Sequence, residues 1–131
     1  MDDRVLVGVY GTLKEGFPAH YLLGEDAVRL NDRVLYGFRL LVSRHVTFPA
    51  IVPSEGSCVT VEVYEVPSSS LRELDRYEGV PGLYTRETVD GVHVYVLPQV
   101  LADNMGFCIE VDSFVRPPER IDPSELLQGR R

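Results

Sequence analysis

Leu71-Arg72-Glu73-Leu74-Asp75-Arg76-Tyr77-Glu78-Gly79 reads as a helix that sets a carboxylate where its pattern asks for an apolar side chain. Leu71, Leu74 and position 78 share one stripe of the 3.6-residue period, the stripe that faces a core. Glu78 holds the third of these positions, in the last turn, where the helix dipole disfavours negative charge. Gly79 follows as a left-handed cap. Burial and dipole both act to raise the Glu78 pKa towards neutrality, the range a general acid/base needs. The plain alternative is a frayed helix end with Glu78 turned to solvent. Ser68-Ser69-Ser70 precedes the helix, and Ser70 with Glu73 matches a capping box that fixes the start and points Glu78 inward.

Strands flank this helix on both sides. Tyr84–Val89 and Val92–Leu97 are joined by Asp90-Gly91, the dipeptide of a two-residue hairpin. Cys58–Val66 alternates, with Val59, Val61, Val63 and Glu65 on one face and Thr60, Glu62 and Tyr64 on the other. Val5–Val9 is apolar and β-branched nearly throughout, the pattern of a central strand. Ala27–Leu41 alternates loosely as one or two strands interrupted at Gly37. Phe48-Pro49-Ala50-Ile51-Val52-Pro53, bracketed by prolines, reads as an extended wall rather than a paired strand, and Ser54-Glu55-Gly56-Ser57 as a turn. Pro18 suits the first position of a short helix over Ala19–Leu23, ended by Gly24. Residues 98–131 give a strand over Phe107–Val111, then a proline-rich tail with a short helix near Ser124–Gln128. No repeat or linker divides the chain. The expected fold class is α+β: one domain over residues 1–131, a mixed-strand, closed or half-closed barrel-like core with a few short helices.

The chain has 131 residues, enough for one compact domain, and its 44% hydrophobic and 25% charged content is that of a globular protein. A net charge of −7 argues against nucleic acid or an anionic membrane surface as partner. An anionic ligand must then be held by local groups. Cys58 and Cys108 are too few for a disulfide framework and lie in apolar, strand-like runs, so buried free thiols are expected. Met1-Asp2-Asp3 is acidic, the apolar run after it is short, and no window holds the roughly 18 apolar residues of a membrane span. A cytoplasmic location is expected. Oligomeric state is not legible here.

The turn after the first strand offers local anion-holding groups. Gly11 permits close backbone approach, and the amides of Gly11, Thr12 and Leu13 come free where strand pairing ends. Successive free N–H groups followed by a helix start form an anion-binding nest. The competing reading is an ordinary strand-to-loop turn. His20, His45 and His93 lack HxxxH spacing, which argues against zinc, and neither a G-x-S-x-G elbow nor a P-loop is present. His20 follows the nest and is a candidate pocket residue; His45 and His93 read as structural or solvated. Asp75, three residues before Glu78, either raises the Glu78 pKa by like charge or is a solvated helix residue.

Two separated motifs resemble a known family. Val9-Tyr10-Gly11-Thr12-Leu13-Lys14-Glu15-Gly16 is similar to the opening Tyr-Gly-(Ser/Thr)-Leu signature of the gamma-glutamylcyclotransferase-like proteins. Leu74-Asp75-Arg76-Tyr77-Glu78-Gly79, followed by Leu83-Tyr84-Thr85-Arg86, looks like their catalytic Glu segment, with the Glu78-to-Tyr84 spacing of the gamma-glutamylamine cyclotransferase branch. Phe48–Pro53 and Val61–Val66 resemble two further stretches of the family, so four motifs stand in order over residues 5–97. Departures exist: Ala19 precedes His20 where many relatives carry Asn, Val61 replaces a small residue, and the tail matches no family motif.

The resemblance implies a gamma-glutamylcyclotransferase-like fold and an enzyme that releases 5-oxoproline and a free amine or amino acid from a small γ-glutamyl substrate. It implies Glu78 as general acid/base, Tyr10, Gly11, Thr12, Leu13 and Tyr84 as substrate-binding residues, and no metal or cofactor. The alternative is a non-catalytic binding module for a γ-glutamyl or amino-acid-like ligand on the same fold.

Overall fold

The computed structural model describes residues 3–115. In chain order these form β1 (Arg4–Val9), a 3₁₀ turn (His20–Leu23), β2 (Val28–Arg29), β3 (Arg33–Ser43) and β4 (Ala50–Pro67). Then come α1 (Ser70–Glu78), β5 (Thr85–Val89), β6 (Val92–Val96), α2 (Gln99–Asn104) and β7 (Phe107–Glu110). The strands make one mixed sheet in the order β5-β6-β1-β4-β3-β7, with β2 also on β4. The sheet curls into a half-barrel, in keeping with the α+β class expected. β1 is central as its apolar run demands: antiparallel to β4, with Val7 opposite Tyr64, and parallel to β6, with Val7 opposite His93. The β5–β6 hairpin closes at Asp90-Gly91, both with positive φ (51° and 80°), as a type I′ turn requires.

β4 corrects two expectations. Ala50–Pro53 is paired, against Phe38–Leu41, and the chain runs on through Ser54–Ser57 without reversing. Between the pairs Tyr36–Cys58 and Phe38–Pro53, Gly37 alone stands opposite Ser54–Ser57. The four residues read as a turn are thus a wide irregularity that bends one long strand. Pro53 is the last pair before it, the kind of position where a sheet tolerates a missing N–H.

Both faces of the sheet are buried. One cluster joins Val7, Val9, Tyr64 and Val66 to Leu74 of α1, Leu23 of the 3₁₀ turn, Tyr84 and Tyr95. The other, on the opposite face, joins Leu35, Leu40, Ile51, Val59, Val61, Val63, Val92, Val94 and Val96. Val59, Val61 and Val63 therefore share a face as their alternation predicts, and Tyr64 on the opposite face is buried too. The same alternation turns Cys58 and Cys108 outward beside buried Val59 and Phe107, so both thiols are exposed rather than buried.

α1 begins without its capping box. Ser70 is its first helical residue, and Ser69 before it already has helical angles (φ −64°, ψ −20°) with no side-chain cap bond. An N-cap side chain reaches the free amides from an extended backbone, and the chain leaving β4 has turned too early for that. Backbone bonds from Ser68 N to Asp3 O (2.7 Å) and from Leu71 N to Ser68 O (3.1 Å) start the helix instead. The other end is as expected. Gly79 takes the left-handed conformation (φ 71°), and its N–H and that of Val80 bond back to Arg76 O and Asp75 O. The expected Ser124–Gln128 helix lies outside the described residues.

Candidate active site

β1 leaves its ladder after Val9, and the next residues fold back as a tight loop. Lys14 N bonds to Gly11 O (3.0 Å) and Ala19 N to Thr12 O (3.1 Å). The amides of Gly11, Thr12 and Leu13 donate to no backbone acceptor among the described loop and turn bonds. Gly11 lies flat against Pro49: a Cβ here would stand 2.6 Å from Pro49 Cγ. His20 does not line the pocket. Its Nδ1 donates to Leu13 O (2.8 Å) and its ring packs edge-on to Tyr64, so it braces the loop from behind.

α1 brings Glu78 to this loop. One pocket is lined by Tyr10, Gly11, Thr12, Leu13, Phe48, Pro49, Glu78, Tyr84 and Tyr95. The structure thus gathers all six residues singled out from the sequence. Burial alone pushes the Glu78 carboxyl up from 4.5 to about 7, with no hydrogen bond or ion pair contributing. Helix phase had pointed to this, since Leu74 on the same stripe is fully buried.

The tyrosines form the pocket wall and are themselves tied down. Tyr84 OH donates to Pro49 O (2.6 Å), and Tyr10 OH donates to Tyr95 O (2.7 Å). Burial first, then Tyr84 and Glu78, raise Tyr10 well above the ordinary phenol value; burial first, then Glu78, raise Tyr84, against a lowering contribution from Tyr10. Both stay neutral at physiological pH. A second pocket adjoins, sharing Thr12, Phe48, Glu78 and Tyr84 and adding Tyr77 and Leu83. Thr12 Oγ1 and Tyr77 OH are hydrogen-bonded across its edge (2.9 Å).

Asp75 is neither of the things expected of it. It is held by Arg86 through Nε (2.8 Å) and Nη2 (3.2 Å) and accepts a bond from Tyr95 OH (2.7 Å). Phe48, Pro49 and Tyr95 are pocket residues that the sequence reading did not name as such. For Tyr95 a signal existed: Val92, Val94 and Val96 alternate on one face, which leaves Tyr95 on the face of α1. Among the described residues no three His, Cys, Asp or Glu side chains cluster as a metal site needs, and no helix is long and apolar enough to cross a membrane.

A desolvated acid of near-neutral pKa, set against unpaired amides at the end of a central strand, can move protons on a ligand whose anionic end those amides hold. The chain belongs to the family described as gamma-glutamyl cyclotransferase, AIG2-like, which matches residues 7–112. A solved structure of an AIG2-like protein from Mus musculus superposes with a TM-score of 0.73 at 28% identity, covering 92% of this chain and 96% of that one. An uncharacterized protein of Pyrococcus horikoshii shares the fold at a TM-score of 0.62 and 23% identity, over 82% and 86% of the two chains. The chain is also 40% identical over 88 residues to the gamma-glutamylaminecyclotransferase of Homo sapiens, and the match covers 62% of this chain and 58% of the human protein. The mouse protein of the same name is 38% identical over 85 residues, and the match covers 60% and 57% of the two chains. The match thus spans under three-fifths of the length of these relatives.

Proposed function

We propose that the protein is a γ-glutamyl cyclotransferase that closes 5-oxoproline and expels an amine by attack of the substrate's own α-amine on its γ-carbonyl. The observation that supports this reading best is the Glu78 carboxyl, desolvated, unpaired and of pKa about 7, in one pocket with the Gly11–Leu13 loop. An α-ammonium is no nucleophile until it loses a proton. Glu78 takes that proton, the amine nitrogen bonds to the γ-carbon, and Glu78 returns a proton to the departing nitrogen as the C–N bond breaks. The amides of Gly11, Thr12 and Leu13 hold the α-carboxylate, so that the chain lies coiled for attack.

Ring closure needs orientation more than force, and orientation supplies several of the roughly 7–11 kcal/mol that proximity can offer. Tyr84 and Tyr10 wall the pocket as neutral phenols. The scheme needs no metal or cofactor, and its substrate is a small molecule of the cytoplasm. The relatives named gamma-glutamylaminecyclotransferase favour a γ-glutamylamine as that substrate.

The test is mass-spectrometric detection of 5-oxoproline from a panel of γ-glutamyl amines, γ-glutamyl dipeptides and γ-glutamyl-lysine. Wild-type protein is expected to release it from at least one class, and Glu78→Gln from none. Substrate binding without turnover by the wild type would instead make the protein a binding module.

A further inference from the structure

Glu78 has no hydrogen bond or ion pair that contributes to its pKa, so its position depends on what holds α1. That helix has nine residues, too few to be stable alone, and its apolar contacts with the core are Leu74, fully buried, and the partly buried Leu71, both one turn or more before Glu78. One turn before Glu78 stands the polar anchor. Asp75 receives two bonds from the Arg86 guanidinium on β5 and one from the Tyr95 hydroxyl on β6. Tyr95 in turn accepts the Tyr10 hydroxyl through its carbonyl, and Tyr10 leads directly into the amide loop. Hydrogen bonds through Tyr95 and Tyr10 therefore link the helix that bears the acid to the start of the loop that bears the amides.

We propose that Asp75, clamped by Arg86 and Tyr95, is a positioning residue that fixes the last turn of α1 and keeps the Glu78 carboxylate aligned with the Gly11–Leu13 amides. This rests on Glu78 being the proton-transfer group. The clamp also has an electrostatic side. Arg86 balances the charge of Asp75, which does not figure among the causes of the raised Glu78 pKa. The remaining groups near Glu78 are Tyr10 just after β1, Tyr84 before β5, Tyr95 from β6, Tyr77 and the exposed Glu73–Arg76 pair on α1 itself, and His20 behind the loop. Tyr10, Tyr84 and Tyr95 are raised by burial and stay protonated, and His93 beyond Arg86 is lowered by burial and then by Arg86. Among the described residues the Asp75–Arg86 pair is thus the more buried of the two ion pairs that α1 makes, the Arg76–Glu73 pair being exposed.

Two substitutions unbalance it in opposite senses. Asp75→Asn leaves the Arg86 charge unopposed and stabilises ionised Glu78; Arg86→Gln leaves the Asp75 charge unopposed and stabilises the protonated form. In substrate-free protein with ¹³C-labelled glutamate, the Glu78 titration midpoint is expected to fall in Asp75→Asn, rise in Arg86→Gln and stay near wild type in Arg86→Lys. In the 5-oxoproline assay kcat should drop by up to about 10²-fold in the first two variants with KM changed far less, since misalignment rather than lost binding is at fault. Tyr95→Phe removes one bond of the clamp and should lower kcat by less, which keeps a mild variant in hand if the charge changes impair folding. Midpoints that stay put or move together, or an unchanged kcat in folded Asp75→Asn, would overturn the clamp. The titration decides this even if no γ-glutamyl substrate turns over, an outcome that would count against the proposed reaction alone.

Discussion

At the scale of single residues, Glu78 has a thermodynamic signature that can be read without any substrate. Its carboxyl is pushed from 4.5 to about 7 by burial, so between those pH values the folded protein holds a proton that the unfolded chain has released. The contribution of Glu78 to stability is therefore fully present below about pH 4.5 and is lost as pH rises through 7. The 2.5 units (7 − 4.5) correspond to about 3 kcal/mol. Glu78→Gln, which cannot ionise, should be more stable than wild type by up to about 3 kcal/mol at pH 8 and by little at pH 4.5. Urea unfolding at the two pH values measures this, and equal stabilities at pH 8 would mean that Glu78 reaches solvent. Glu78 was legible in the sequence because a charge in an apolar phase is a local contradiction. Its companions were not. Asp75 looks like any helix-surface acid until Arg86 and Tyr95, 11 and 20 residues away, fold onto it.

Secondary-structure elements show the same division between local and distant causes. Gly79 ends α1 as its position after Glu78 suggests, and the reason is steric: φ is 71°, and a Cβ would lie 3.1 Å from Leu83 Cβ. Gly79→Ala should cost about 1–2 kcal/mol from the left-handed backbone alone. Because the cap adjoins Glu78, it should also lower kcat, and a thermal melt beside the turnover assay separates the two effects. The β5–β6 hairpin was readable for a similar reason, since Asp90-Gly91 encodes its turn in two residues. β4 was not readable. Proline and the Ser54–Ser57 cluster are strong local signals for breaking a strand, yet pairing with β3 on both sides of Gly37 outweighs them. The missing capping box is a smaller case: Ser70 and Glu73 have the right spacing, but the direction in which the chain leaves β4 decides whether a cap can form.

For the molecule as a whole, the decisive property is that the sheet is covered on both faces, and this ties segments distant in sequence to its pocket. Phe114 is buried against Phe17 (ring centroids 5.6 Å apart), and the Lys14 ammonium donates to Phe114 O (2.8 Å) while lying over the Phe17 ring. Burial lowers the Lys14 pKa, as expected for an ammonium partly withdrawn from water. Lys14 and Phe17 belong to the loop that starts with the Gly11–Leu13 amides, so a contact 100 residues distant in sequence backs that loop. Phe114→Ala removes that backing. Truncation of a buried Phe costs about 3–5 kcal/mol, less where the site can collapse, and a contact near the end of the described chain should fall at the lower bound. The loop, rather than the helix, loses its support, so under the proposed reaction the defect should appear in substrate binding: KM rises while kcat at saturation stays close to wild type. Asp75→Asn predicts the reverse pattern, a fall in kcat with KM held. Steady-state kinetics on the two variants, at a temperature where circular dichroism shows both folded, therefore tests whether the half-barrel supports its nest and its acid from separate sides. A shared loss in kcat alone would mean that Phe114 and Asp75 act on one rigid unit.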